Sequence, residues 1–226
     1  MANKNNKANN LTEETQNSSE AFFLKYRKAV IYGAIAVIAV IAGIIIYNTY
    51  VAGPREDKAS TVLAKGHKYF NNEDYDKALK GDGADFPGFL AVASDYSSTD
   101  AGNLANLYAG LCYAQLGKWN DAITCIEKFD GQGDNMISPA AEGALGNAYA
   151  HTNQLDKAVE HLKKAAKLAD NNSLSPTFLI QAGEILESQG KKEEALELYM
   201  QVKNKYINSA QYQQTIDKYI ERATTK

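Results

Sequence analysis

Residues 103–129 read NLANLYAGLCYAQLGKWNDAITCIEKF, and the fold is decided by their recurrence. The run 139–165, PAAEGALGNAYAHTNQLDKAVEHLKKA, aligns with them without a gap. So does the run 176–202, PTFLIQAGEILESQGKKEEALELYMQV. The starts are 36 and 37 residues apart, a spacing typical of arrays of one repeated supersecondary unit. Gly110, Gly146 and Gly183 coincide, as do Tyr113, Tyr149 and Leu186, and Ala122, Ala158 and Ala195.

The coinciding residues have a packing reason. A Gly on one helix facing an Ala on the next lets two antiparallel helices approach closely, and the large side chain at Tyr113 or Tyr149 fills the space beside that contact. Gly117, Asn153 and Gly190 fall where the first helix must stop, and both residue types tolerate the left-handed conformation used at helix C-termini. Asp121, Asp156 and Glu194 then sit in the first turn of the second helix, where negative charge suits the helix dipole.

A Gly, an aromatic three residues on, and an Ala nine later, at a period of about 34, resembles the tetratricopeptide repeat. The resemblance covers residues 103–206 and implies an all-α solenoid of helical hairpins. A divergent copy precedes it at residues 59–100, where Gly66, Tyr69 and Ala78 keep the same relative spacing. The glycines at 81, 83 and 88 should interrupt its second helix, and Phe89-Leu90-Ala91-Val92-Ala93 should resume helical packing. Asp82 and Asp85 lack the spacing of a calcium loop and are read as ordinary loop residues. After the third copy, residues 209–224 read as a capping helix with Ile216, Tyr219, Ile220 and Ala223 on one face.

Upstream lies AVIYGAIAVIAVIAGIIIYNTYV, residues 29–51, 23 residues without a charge. A helix of that length spans about 35 Å, enough for a hydrocarbon core of ~30 Å. The run starts too late and is too long for a signal peptide, and Pro54 disfavours cleavage after Ala52, so an uncleaved transmembrane helix is expected. Lys25, Arg27 and Lys28 abut its N-terminal side; Arg55 and Lys58 on the other side are balanced by Glu56 and Asp57. The bias places the N-terminus in the cytoplasm and the rest of the chain outside. Residues 1–28 are rich in Asn, Ser and Glu and are expected to form a disordered cytoplasmic tail. Ala29, Gly33, Ala36, Val40 and Gly43 share one face of the span. Small residues there suit close approach of another membrane helix, or reflect ordinary Ala and Gly usage.

The chain carries a net charge of −3, and no basic patch argues for nucleic acid. Cys112 and Cys125 fall on helices and read as small apolar residues, with a disulfide left open. His67, His151 and His161 form no metal motif, and His161, among Lys163 and Lys164, reads as solvated. No nucleophile elbow, phosphate loop or dinucleotide fingerprint is present, so neither catalysis nor a cofactor is expected. A protein-binding groove is. Its first-helix positions are Leu63, His67, Phe70, Leu107, Leu111, Asn147, His151, Ile180 and Glu184. For Leu107, Leu111 and Ile180 the alternative is a groove already filled by the cap helix or the interrupted first unit. Tetratricopeptide proteins that clamp a chaperone's C-terminal carboxylate use Lys and Asn at these places; Leu63, Leu107 and Leu111 do not suit that use.

The basic, Phe-rich approach Glu20-Ala21-Phe22-Phe23-Leu24-Lys25-Tyr26-Arg27-Lys28, the single span and the repeats beyond it resemble the YfgM-type family. That resemblance implies an ancillary subunit of the bacterial Sec translocon, in the inner membrane, facing the periplasm and linked to its chaperones. A scaffold for envelope or outer-membrane assembly is the alternative. A membrane-anchored enzyme subunit would need a polar pocket that the sequence does not show.

Overall fold

The computed structural model describes residues 5–131, 133–212 and 214–225, with side chains from residue 25 onward. It divides into two compact units, residues 1–54 and 55–226.

The first unit is built on α1 (Asn5–Tyr47), followed by a π-helical turn, Asn48–Ala52. Among the described residues this is the one helix long and apolar enough to cross a membrane. The tail expected to be disordered is helical from Asn5 onward, while residues 1–4 lie outside the described residues. No Gly or Pro precedes Gly33, so nothing in the tail breaks a helix continuing from the apolar run. The span expected to end at Val51 leaves α-helical geometry at Asn48. Ala29, Gly33, Ala36, Val40 and Gly43 are all exposed, and a Cβ added at Gly33 or Gly43 meets nothing within 4 Å.

The second unit is a series of helical hairpins. α2 (Gly53–Asn71) leads to α3 (Tyr75–Lys80) and α4 (Phe89–Asp95). Then come α5 (Asp100–Gln115) with α6 (Trp119–Ile126), and α7 (Ile137–His151) with α8 (Leu155–Ala169). Last are α9 (Ser175–Ser188) with α10 (Lys192–Lys205), and α11 (Ile216–Thr224). Neighbours in sequence are neighbours in space from α3 onward, the contact pattern of a solenoid. The described residues contain no strand.

The turn inside each hairpin is the same Schellman motif. Lys118 N donates to Tyr113 O, Gln154 N to Tyr149 O and Lys191 N to Leu186 O, each at 2.9 Å. The residues that open these turns, Gly117, Asn153 and Gly190, have φ of 71°, 58° and 76°. The divergent first hairpin of this unit makes the same turn, Asp74 N to Tyr69 O at 2.9 Å, but places Glu73 at φ 61°. A left-handed residue other than Gly or Asn costs roughly 1–2 kcal/mol. Glu73→Asn is therefore expected to stabilise the protein by roughly 0.5–1 kcal/mol, read as a higher urea midpoint; a lower midpoint would show that Glu73 has a role other than turning the chain.

The interrupted second helix of the divergent first hairpin stops at Lys80 and resumes at Phe89. Asp82 organises the gap. Its Oδ1 accepts from Ala84 N and Phe86 N at 2.9 and 3.0 Å, and its Oδ2 accepts the Tyr69 hydroxyl at 2.5 Å. Those bonds, the Tyr69 hydroxyl foremost, hold its carboxyl well below the ordinary range. Phe86 and Phe89 turn inward from this loop and pack edge to face over Gly66, where an added Cβ would run into both rings. Glu56 ties α2 to the next hairpin by accepting Asp100 N and Ala101 N at 2.7 and 3.0 Å.

The capping segment is helical only from Ile216. Residues 210–212, 214 and 215, expected within that helix, are turns instead, and Ser209 N, Tyr212 N and Thr215 N each bond a carbonyl three residues back. Burial of Tyr206 and Ser209, and a bond from Tyr212 Oη to Thr177 Oγ1 at 3.3 Å, favour these turns over a continuous helix. The amphipathic face falls as expected: Ile216 and Ala223 are buried against α10, with Tyr219 and Ile220 beside them.

Candidate protein-binding site

Three of the nine residues assigned to the groove belong to the core. Leu63, Leu107 and Ile180 are buried, in the clusters that also hold Ala78, Leu145 and Leu179 respectively. These positions face the next hairpin as much as the groove, and close helix approach covers them. Gly143 shows how close: a Cβ there would strike the Phe178 ring of α9. His67, Phe70 and Leu111 are half-buried. His67 and Phe70 pack on Tyr108 with ring centroids 4.9 and 5.3 Å away, and among the described residues the buried His67 Nε2 has no hydrogen-bond partner. Neither the cap helix nor a groove ligand is needed to cover Leu107, which packs among Ile123, Ala141 and Leu145.

The open positions are fewer. Asn147 and His151 are exposed on α7 and, one turn apart, share a helix face with Ala140. The imidazole of His151 lies flat on the Trp119 indole, centroids 3.7 Å apart and planes 1° apart. A shallow cleft of about 470 Å³ surrounds this pair, lined also by Lys118, Asp121 and Gln154. Trp119 was not among the expected groove residues, although it is the only tryptophan in the chain. Glu184 is exposed but engaged: Arg222 of α11 reaches it at 3.6 Å and binds Glu187 more closely. The end of the array at α9 is thus covered by the chain itself, and of the nine expected positions Asn147 and His151 on α7 stay exposed without such cover.

His161, expected in solvent, is half-buried. Its Nδ1 lies 2.8 Å from Glu142 Oε2, and its ring stacks on Tyr149 with centroids 5.2 Å apart. Both cysteines are free and buried, and burial pushes the Cys112 thiol up to about 12, far from a nucleophilic thiolate. Among the described residues no three His, Cys, Asp or Glu side chains gather as metal ligands.

Small, stacked helical faces with an open polar strip are the chemistry of a protein-interaction scaffold, and arrays of this kind are generally non-enzymatic. The array is similar to a crystal structure of MamA protein, at 22% identity and a TM-score of 0.57, over 73% of this chain and 80% of that one. A second MamA structure matches at 22% identity and 0.52, over 70% and 91%. Nearly identical TPR-like repeats from Podosopora anserina match at 15% identity and 0.51, over 74% and 94%. At these identities the likeness is one of fold. No curated protein matches the chain. The family model of the tetratricopeptide repeat-like domain matches residues 20–221, nearly the whole chain, and the chain therefore belongs to that family.

Proposed function

We propose that this protein is a membrane-anchored scaffold whose repeats bind protein partners on the extracytoplasmic face, as an accessory subunit of the Sec translocon and periplasmic chaperone network. The observation that carries the reading is where the family match begins. It starts at residue 20, ahead of the apolar run, so basic approach, span and repeats belong to one family unit. The cations at Lys25, Arg27 and Lys28 support an inner-membrane orientation with the N-terminus in the cytoplasm and the repeats in the periplasm. The stripe from Ala29 to Gly43 would meet the membrane partner, and the α7 strip at Asn147 and His151 a soluble one.

Photocrosslinking in intact cells tests this, with the probe placed in turn at Gly43 and at Asn147. Leu107 is unsuitable for the second probe because a side chain buried in the core cannot report on a partner. Crosslinks from Gly43 to the translocation channel, with chaperones labelled from Asn147, are the expected result. A silent Gly43, with envelope-assembly proteins labelled from Asn147, would make the span a simple anchor and the protein an assembly scaffold.

A further inference from the structure

The second helix of the first full repeat is short. α6 has eight residues, where α8 and α10 have 15 and 14. The chain leaves it through Gly131 and Gly133, the latter at φ 73°. Beside the shortened helix a cavity of about 430 Å³ opens against α7 and α8, within the ~300–1,000 Å³ range of ligand pockets. Its floor is apolar, formed by Ile126, Phe129, Ala141, Leu145 and Leu168.

The cavity is held open from both ends of its loop. Asn103 fixes residue 130 through two bonds of 2.8 Å to its backbone N–H and carbonyl. Asp134 caps α7, accepting Met136 N at 2.8 Å, Ser138 N at 3.0 Å and the Ser138 hydroxyl at 2.6 Å. On the α8 side, Lys164 and His161 are already engaged by Glu142, at 2.7 and 2.8 Å. The exposed carboxylates of Glu127 and Asp130 also line the cavity, and neither has an ion-pair partner among the described residues. Among the described residues Glu127 accepts the Tyr149 hydroxyl and no other donor. The segment after the span carries a net charge of −5, which adds a general attraction for cations. At roughly 100° per residue, Ser138, Ala141, Glu142 and Leu145 point to the side of α7 opposite Asn147 and His151, so this is not the groove.

We propose that this cavity is a second docking site, distinct from the groove, for a partner segment in which an apolar side chain is flanked by Lys or Arg. The apolar group covers Phe129 and Leu145, and the cation meets Glu127 and Asp130. The test uses the full chain in a neutral detergent and a fluorescein-labelled peptide with alternating Leu and Arg or Lys. A second peptide carries Glu at every basic position. The basic peptide is expected to bind, more weakly at high salt, and the acidic one not to. Asp130→Lys, which leaves the two Asn103 bonds to the backbone in place, is expected to weaken binding about tenfold, ~1.4 kcal/mol, and Leu168→Glu comparably. Asn147→Trp in the groove should leave binding unchanged, and thermal melts of the variants should match the parent. The proposal is overturned by no binding of the basic peptide at millimolar concentration, or by binding indifferent to both cavity variants. Loss of binding in Asn147→Trp would also overturn it. So would preference for the acidic peptide, which would point instead to Lys163 and Lys167 on α8.

Discussion

Gly102→Ala is expected to lower the unfolding free energy by more than about 3 kcal/mol, beyond the usual ~1–3 kcal/mol of overpacking. Gly102 lies in the first turn of α5. An added Cβ would overlap the carbonyl oxygen of Tyr96, 2.5 Å from the carbonyl carbon and 3.1 Å from Thr99 Oγ1. The obstacle is backbone, not the end of a flexible side chain. It is also anchored: the Tyr96 carbonyl accepts Thr99 N at 2.9 Å and Thr99 Oγ1 at 2.7 Å. On either side, Arg55 binds the Asp95 carbonyl at 2.7 Å and Glu56 holds Asp100 and Ala101. The higher helix propensity of Ala returns only about 1 kcal/mol. Gly146→Ala makes the control. Its Cβ would lie 2.8 Å from Leu162 Cγ and 3.1 Å from the Ala158 carbonyl. Leu162 is buried and its Cγ is not a free end, so the two helices must part slightly; after the same propensity gain the net loss should be about 1–2 kcal/mol, smaller than at Gly102. Urea unfolding followed by far-ultraviolet circular dichroism and by Trp119 fluorescence reads both variants, since Trp119 is the sole tryptophan. A Gly102→Ala protein as stable as its parent would mean that the α4–α5 corner is looser than these bonds indicate.

The contrast between these glycines shows what the sequence made legible. Gly110, Gly146 and Gly183 were readable because the same close contact recurs in each hairpin, and recurrence is visible as spacing. Gly102 answers a single contact with the preceding turn and leaves no periodic trace. The same division runs through the site. Helix periodicity identifies which residues face inward on α2, α5, α7 and α9, but not whether the neighbouring hairpin covers them. That depends on approach distances of a few ångströms, which sank Leu63, Leu107 and Ile180 into the core and left Asn147 and His151 open. Trp119 and His151 lie on different hairpins, so their stacking has no signature in spacing. The shortened α6 did have one, in Gly131 and Gly133, but the regular Gly and Ala positions around it masked the change in helix length. The stretch after Ser209 went the other way: Tyr212 N and Thr215 N close turns where a helix was expected, because burial at Tyr206 and Ser209 outweighed local propensity.

Arg222→Ala is expected to destabilise the array by about 2 kcal/mol at neutral pH, and the loss should fade in acid. Arg222 Nε donates to the two Glu187 carboxylate oxygens at 3.1 and 2.9 Å, and its Nη2 donates as well. Tyr199, fully buried, gives its hydroxyl to the same carboxylate at 2.8 Å and carries Tyr219 of α11 against its ring. The Glu187 side chain is only 12% exposed, so without Arg222 its charge would rest on one hydroxyl. Breaking a fully buried pair costs ~3–5 kcal/mol. Arg222 is itself 53% exposed, and water screens the pair, which argues for the smaller figure. The pH dependence has a definite sign. Burial alone would raise the Glu187 carboxyl, but the Arg222 and Tyr199 hydrogen bonds and the Arg222 charge outweigh it, and the net shift is below the reference value of 4.5. A carboxyl lowered by folding contributes stability above its unfolded value and loses it as pH falls through the folded one. The gap between parent and Arg222→Ala should thus be full above about pH 5 and shrink below about pH 4. Glu187→Gln combined with Arg222→Ala should cost less than the two single losses added together, because both remove one interaction. A gap that does not change with pH would assign the effect to packing of Arg222 over the Tyr219 ring, 5.1 Å away, and α11 would then cap the array by shape rather than by charge.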